Sequence, residues 1–141
     1  MGFKFSAKSL QNLEGVHPKL ILVVRKALDF NIMDFKVSSG VRTIQQQKAL
    51  YAQGRTTPGV NARPGKPLGD PVTWTLESRH LINPDGYGHA VDLDPVPIDY
   101  KDISRYYLLA TLIFRAAMEE EIQIRWLPHE GVDDFGHYEL I

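Results

Sequence analysis

The sequence contains no cysteine among its 141 residues. This absence excludes a disulfide framework, a cysteine-ligated zinc finger and a thiol nucleophile. Any metal ion would therefore have to be bound by histidine and carboxylate side chains. The sequence also lacks a Gly-x-Ser-x-Gly motif, so no serine carries the local signature of a serine hydrolase.

An excess of charge of one sign is also absent. Sixteen Lys and Arg against seventeen Asp and Glu leave a formal net charge of −1, so we expect no nucleic-acid partner and no stable membrane association. No apolar run approaches the roughly 20 residues of a membrane span. The first residues lack the order of a signal peptide, and we expect a protein made in a cytoplasm.

A chain of this length and hydrophobic content can bury one core of ordinary size. We therefore expect one domain over residues 1–141. Hydrophobic periodicity predicts a helix from Pro18 to Leu28 and a strand from Phe35 to Val41. A capping box at Thr43 to Gln46 opens a further helix that Gly54 closes. The Pro- and Gly-rich stretch from Arg55 to Leu76 is predicted to be a long loop.

The second half of the chain predicts three more strands and one long helix. Strands are expected over Gly88 to Asp94, Ile122 to Trp126 and His137 to Ile141. Asp102 is expected to cap the helix that follows it, where apolar residues recur at helical spacing. The predicted fold class is α+β, a small, mainly antiparallel sheet with helices on one face and a metal cleft on the other.

Alternation in two of these strands brings candidate metal ligands together. If their apolar residues face the core, Asp92 and His137 project from the opposite surface of the sheet. His80 lies on a loop that can fold back over the strand. His89 is three residues from Asp92, so in an extended strand it points to the other face. We therefore predict His80, Asp92 and His137 as ligands, leaving a fourth tetrahedral position for water.

The chain carries a series of motif segments in a fixed order. They are Ser39 to Thr43 with Gln47 and Leu50, Tyr51 to Thr56, Ser78 to His80, Gly88 to Leu93, and Asp134 to Leu140. Together these segments resemble the M15 zinc peptidases, a family that includes D-Ala-D-Ala carboxypeptidases and dipeptidases, and the L-alanyl-D-glutamate endopeptidases of bacteriophage endolysins. The likeness covers roughly Phe35 to the C-terminus, and the joint occurrence of the motifs is more specific than any one alone.

The resemblance implies a site built on one Zn²⁺ ion, with the three side chains named above as its ligands. It makes Asp134 the catalytic base that takes a proton from the attacking water. It makes Arg42 a catalytic group that contacts the substrate carbonyl or carboxylate. Gln47 and Ser78 are further candidates for positioning the substrate.

The chain departs from the family pattern at two places. An apparent turn-forming insertion, Leu81 to Tyr87, separates His80 from the glycine that usually follows the first ligand more closely. It leaves Asp85 as an alternative ligand to His80. The segment Leu127 to Glu130 replaces a Gly-Asp-Trp stretch common in phage members. From the strand pattern, Glu139 shares the face of His137 and could orient a ligand imidazole.

The resemblance implies a phage endolysin, an antimicrobial hydrolase of the DD-peptidase and hedgehog-like fold that degrades the bacterial cell wall at host lysis. Its partner would be the peptidoglycan stem peptide, cleaved between L-Ala and D-Glu. The alternatives are a D-Ala-D-Ala carboxypeptidase or dipeptidase, and a non-catalytic zinc-binding module. We expect a monomeric catalytic domain without a separate cell-wall-binding domain, which reaches the periplasm through a holin-opened membrane.

Overall fold

A four-stranded antiparallel sheet organises the protein. The computed structural model describes residues 2–59, 62–69, 79–129 and 132–141. Its strands run in the order β1-β2-β4-β3, and every neighbouring pair is antiparallel. The strands are β1 (Phe35–Ser39), β2 (Ala90–Pro95), β3 (Ile124–His129) and β4 (Val132–Leu140). The predicted α+β class and antiparallel sheet are confirmed.

Four helices accompany the sheet in the described part of the chain. They are α1 (Ala7–Leu13), α2 (Pro18–Asp29), α3 (Ile44–Ala52) and α4 (Ile103–Glu119). Pro18 begins α2 at the first helical position, where its missing N–H costs no helical hydrogen bond. No described helix is long and apolar enough to cross a bilayer.

The ends of the helices confirm one predicted cap and correct another. Thr43 and Gln46 form the reciprocal capping box of α3, each side chain accepting a backbone N–H of the other residue. Asp102 precedes α4 as predicted, but its side chain makes no capping hydrogen bond. Its carboxylate instead accepts a hydrogen bond from the Ser104 hydroxyl. The prediction of Asp102 as a side-chain cap is therefore wrong, although the helix starts where expected.

The hydrophobic core lies between one face of the sheet and the helices. Helix α4 packs against α2 and against strands β2, β3 and β4. Burying each large apolar side chain contributes roughly 1.5 to 3 kcal/mol, so this layer supplies the main driving force for folding. Its sheet side consists of Val91, Leu93, Tyr138 and Leu140, all buried, and α4 contributes Leu109, Leu112 and Ile113.

The bounds of all four strands differ from prediction. Strand β2 covers Ala90–Pro95 and β3 covers Ile124–His129, where Gly88 to Asp94 and Ile122 to Trp126 were predicted. The differences in β1 and β4 bear on the site. Strand β1 ends at Ser39 instead of Val41, because the chain then leaves β2 and Arg42 pairs with Leu81. A Cβ on Gly40 would lie 1.8 Å from the Asn12 carbonyl oxygen, so only glycine fits there. Strand β4 begins at Val132, before the predicted His137, and its pairing with β3 shifts register between Trp126 and Leu127, which interrupts the alternation on which the prediction relied.

The insertion from Leu81 to Tyr87 is the surface turn that its sequence predicts. The Asn83 N–H donates to the Tyr87 carbonyl, and the Gly86 N–H donates to the Asn83 carbonyl. Gly86 has a φ of +88°, which favours glycine. In the predicted long loop, residues 55–59 and 62–69 contain turns and no helix or strand, and its remaining residues lie outside those described.

Candidate metal centre

Three polar atoms meet on the sheet face opposite the one that packs against α4. Asp92 of β2 and His137 of β4 are paired in register, and His80 reaches them from the loop before β2. His80 Nε2 lies 3.3 Å from His137 Nδ1 and 3.3 Å from Asp92 Oδ1. His137 Nδ1 lies 3.3 Å from the same Asp92 oxygen. These atoms therefore form a near-equilateral triangle.

The position of His80 is set by the backbone around Gly40. The His80 side chain is 1% exposed, and its Nδ1 lies 2.7 Å from the Gly40 carbonyl oxygen. A carbonyl can only accept, so Nδ1 carries the proton and donates it. The lone pair of Nε2 is then left to face the other two side chains. The Arg42 N–H donates to the His80 carbonyl at 2.8 Å, which holds this loop against the end of β1.

The charges of the cluster are strongly coupled. Burial alone would raise the pKa of Asp92, but its interactions with His137 and His80 lower that pKa well below its usual value. Burial alone would lower the pKa of His137, whereas the hydrogen bond and charge of Asp92, with the charges of Asp134 and Glu139, raise it overall. The cluster thus favours an ionised Asp92 beside a positive charge, either that of a protonated His137 or that of a metal ion.

The triangle fits a tetrahedral zinc ion. Zinc binds nitrogen and oxygen ligands at about 2.0 to 2.1 Å, so two ligands of a regular tetrahedron lie about 3.3 Å apart. The described side chains present that spacing on all three edges. The grouping of His80, Asp92 and His137 is the only set of its kind found within the described residues. Two imidazoles and one carboxylate suit zinc better than calcium or magnesium, which prefer oxygen.

Arg42 lies at the edge of this triangle. Its Nη2 donates to Asp92 Oδ2 at 3.1 Å, and its Nη1 donates to Gln47 Oε1 at 3.2 Å. Asp92 thus uses one oxygen for the histidines and the other for Arg42. Gln47 is fully buried, so it holds the guanidinium in place. Ser78, the other predicted substrate contact, lies outside the described residues.

Asp134 stands beside the triangle without belonging to it. Its Oδ2 lies 3.9 Å from His137 Nδ1, and half of its side chain is exposed. Desolvation and the neighbouring charge of Asp92 raise its pKa, against the opposing charges of His137, His80 and Arg42. A carboxylate with a raised pKa at the open side of a metal triangle suits proton transfer.

The two alternative ligands lie elsewhere. Asp85 Oδ2 is 2.7 Å from His89 Nε2 and 3.8 Å from His17 Nε2, on the surface turn. Neither Asp85 nor His89 belongs to the triangle. The role of Gly40 was not predicted from the sequence. Its only signal was a glycine inside the predicted strand from Phe35 to Val41.

Comparisons with known proteins agree in pointing to one group. Residues 1–134 match the model of a family described as phage L-alanyl-D-glutamate peptidase. The chain is 29% identical to the L-alanyl-D-glutamate peptidase of Escherichia phage T5 over an alignment of 156 positions that covers both proteins in full. It also resembles the crystal structure of the Serratia marcescens L-Ala D-Glu endopeptidase ChiX. That similarity has a TM-score of 0.74 and 30% identity, and covers 99% of this chain and 91% of that one.

Proposed function

The chain belongs to the phage L-alanyl-D-glutamate peptidase family, and we propose that it is a zinc peptidase of the M15 type that hydrolyses the L-Ala-D-Glu bond of peptidoglycan stem peptides. The ligands in this proposal are His80, Asp92 and His137. The observation that carries it is the triangle of donor atoms with 3.3 Å edges. The activities for which the T5 and Serratia relatives are named support the choice of bond.

Asp134 acts as the base in this proposal. Zinc, when bound, polarises the scissile carbonyl and makes a coordinated water more acidic. The Asp134 carboxylate accepts the proton of the attacking water and then donates it to the leaving amine. Its position 3.9 Å from His137 Nδ1 puts it within one water molecule of the triangle.

Arg42 supplies positive charge for the developing oxyanion. Its guanidinium is already held by Asp92 and by buried Gln47, so little reorganisation is needed when substrate binds. A preorganised donor of this kind contributes on the order of 3 kcal/mol to the transition state of other hydrolases. Gln47 serves the substrate through Arg42, because its own side chain is fully buried. Ser78 remains a proposed substrate contact because it belongs to the motif from Ser78 to His80.

In its biological setting, the proposed enzyme is an endolysin that acts on the cell wall at host lysis. We propose that residues 1–141 form one catalytic domain that works as a monomer and reaches its substrate through a holin-opened membrane. The full mutual coverage with the phage T5 peptidase supports the single domain.

Mass spectrometry of digested muropeptides tests the activity. Purified peptidoglycan is incubated with the protein plus zinc, and in parallel with the protein after chelator treatment. We expect new fragments that begin at D-Glu, and their loss with chelator. Release of terminal D-Ala alone would instead identify a carboxypeptidase, and zinc binding without any product would identify a non-catalytic module.

A further inference from the structure

Glu139 is a buried carboxylate next to the metal triangle that the proposed mechanism does not use. It follows His137 by two residues on β4 and shares its face of the sheet, and it is 5% exposed. A carboxylate this buried is rare unless it is paired. Its burial therefore calls for a reason in the surrounding side chains.

The geometry excludes Glu139 from the triangle itself. His137 presents Nδ1 to His80 and Asp92, whereas Glu139 Oε1 lies 4.0 Å from the other ring nitrogen, Nε2. The two nitrogens point to different sides of one ring. Glu139 therefore lies behind His137, on the side away from the ion site.

Two arginines bracket this carboxylate from opposite sides. Arg79 Nε lies 3.4 Å from Glu139 Oε2, and Arg125 Nη1 lies 3.9 Å from Oε1. Arg79 directly precedes His80, so its ion pair joins the segments that carry the two histidines. Arg125 is the partner of Glu139 on edge strand β3, which carries none of the proposed ligands.

We propose that Glu139 is a positioning residue of the metal centre, which faces the Nε2–H of His137 and holds the His80 loop through Arg79. This inference rests on the proposed function, since it takes the triangle to be the ion site. The inference adds Glu139 behind His137, and it adds Arg79 beside His80.

The reason lies in the tautomers that the triangle requires. His137 can bind an ion through Nδ1 only if its remaining ring proton is on Nε2. A carboxylate beside Nε2 favours that tautomer, and the attraction acts beyond hydrogen-bond length because both groups are buried. Glu139 favours the Nε2 proton of His137 by its charge at 4.0 Å, whereas the Gly40 carbonyl fixes the Nδ1 proton of His80 by a direct hydrogen bond. Both rings are directed from behind by an acceptor.

Zinc affinity of the whole protein tests the proposal, with a matched pair of arginine variants. Glu139→Gln removes the charge and keeps the shape. Arg79→Met and Arg125→Met remove one cation each from the same carboxylate. Affinity is measured by competition with a chromophoric chelator using zinc alone, and the absorption spectrum of the cobalt-loaded protein reports the ligand geometry.

We expect Glu139→Gln to weaken zinc binding about 10- to 100-fold, the range seen for outer partners of metal-binding histidines, and to change the cobalt spectrum. Arg79→Met should weaken zinc binding several-fold, and Arg125→Met should stay within about twofold of the wild type. Thermal melting of the metal-free variants identifies any variant that fails to fold. If Glu139→Gln fails to fold, the difference in zinc affinity between Arg79→Met and Arg125→Met decides.

Two results would overturn the inference while leaving the proposed function intact. The first is wild-type zinc affinity and an unchanged cobalt spectrum in Glu139→Gln. The second is an equal loss of affinity in both arginine variants, which would reduce Glu139 to a structural ion pair. A wild-type protein that binds no zinc would refute both the proposed function and this inference.

Discussion

Two clusters of the same composition occupy different parts of this molecule. The buried cluster consists of His80, Asp92 and His137, and the surface cluster consists of His17, Asp85 and His89. Each contains two imidazoles and one carboxylate. Only the first presents the triangle of a metal site, so residue type alone does not account for the difference.

The ring nitrogens explain why the surface cluster is different. His17 Nδ1 accepts the backbone N–H of Lys19 at 3.1 Å at the start of α2, so its proton lies on Nε2, facing Asp85. His89 Nε2 is 2.7 Å from the same Asp85 oxygen, which is a direct hydrogen bond. The His89 Nε2–H therefore donates a hydrogen bond to Asp85, and the His17 Nε2–H faces the same carboxylate oxygen at 3.8 Å. In the buried cluster, the Gly40 carbonyl accepts a hydrogen bond from His80 Nδ1, which leaves the lone pair of Nε2 facing Asp92 and His137.

The comparison teaches that a candidate metal site depends on the groups that lie behind its proposed ligands. The buried cluster has a backbone carbonyl behind His80, a carboxylate near His137 and an arginine on Asp92. The Asp85 side chain is 40% exposed, so water can replace its partners. Each of the following predictions would break or sharpen this contrast.

The largest effect is expected when Asp134, the carboxylate beside the buried cluster, is replaced. Asp134→Asn should lower turnover about a thousandfold, within the range for loss of a general base, because the amide cannot accept the proton. Zinc stoichiometry should not change. Activity is measured by release of stem-peptide fragments, with Asp133→Asn as the neighbouring control. Wild-type turnover in Asp134→Asn would remove this residue from the mechanism.

A direct contrast of the two clusters is the pair His80→Ala and His89→Ala. Loss of His80 removes a proposed ligand and should weaken zinc binding by more than about 100-fold, beyond the range for outer partners. His89→Ala should leave zinc stoichiometry at one ion. Metal analysis after dialysis measures both. Zinc loss in His89→Ala with retention in His80→Ala would reverse the assignment.

The pH dependence of stability separates the metal-free from the zinc-loaded protein. The raised pKa of His137 stabilises the fold below the unfolded pKa of about 6.5, and this stability is lost as pH rises through the folded pKa. The melting temperature of the metal-free protein should therefore fall by a few degrees between about pH 6 and about pH 9. Zinc binds unprotonated imidazole, so its stabilisation should grow over the same range.

Scanning calorimetry at several pH values measures this dependence. His137→Ala should flatten the metal-free slope, and His89→Ala should keep it. A metal-free wild type that becomes more stable toward higher pH would contradict the coupling of His137 to Asp92.

The smallest effect is expected in the surface cluster. Asp85→Asn removes the charge from a half-exposed ion pair, which contributes little because water and salt screen it. Zinc affinity should be unchanged, and the melting temperature should move by no more than about 2 °C. A large loss of zinc in this variant would restore Asp85 as a ligand.

Most of the architecture followed from local patterns in the sequence. The period of two in β2 and β4 placed Val91 and Leu93 in the core and Asp92 on the other face, and the structure confirms it. The Thr43 capping box and the Asp-Gly turn of the insertion were also predictable, because each depends on residues close together in the chain. The starts and ends of strands were less predictable, as the end of β1 at Ser39 and the start of β4 at Val132 show.

The sequence by itself determined which residue types stand on each strand and therefore which side chains can reach the cleft. The tertiary structure decided which nitrogen of His80 and of His137 faces the other two side chains of the triangle. It also decided that Asp85 pairs with His89 and does not join Asp92 in the triangle. It also decided that Gln47 lies behind Arg42 and Glu139 behind His137. The physical reason is that side-chain alternation is a local property of the backbone. The tautomer and direction of a ring depend instead on acceptors brought from distant segments, such as the Gly40 carbonyl.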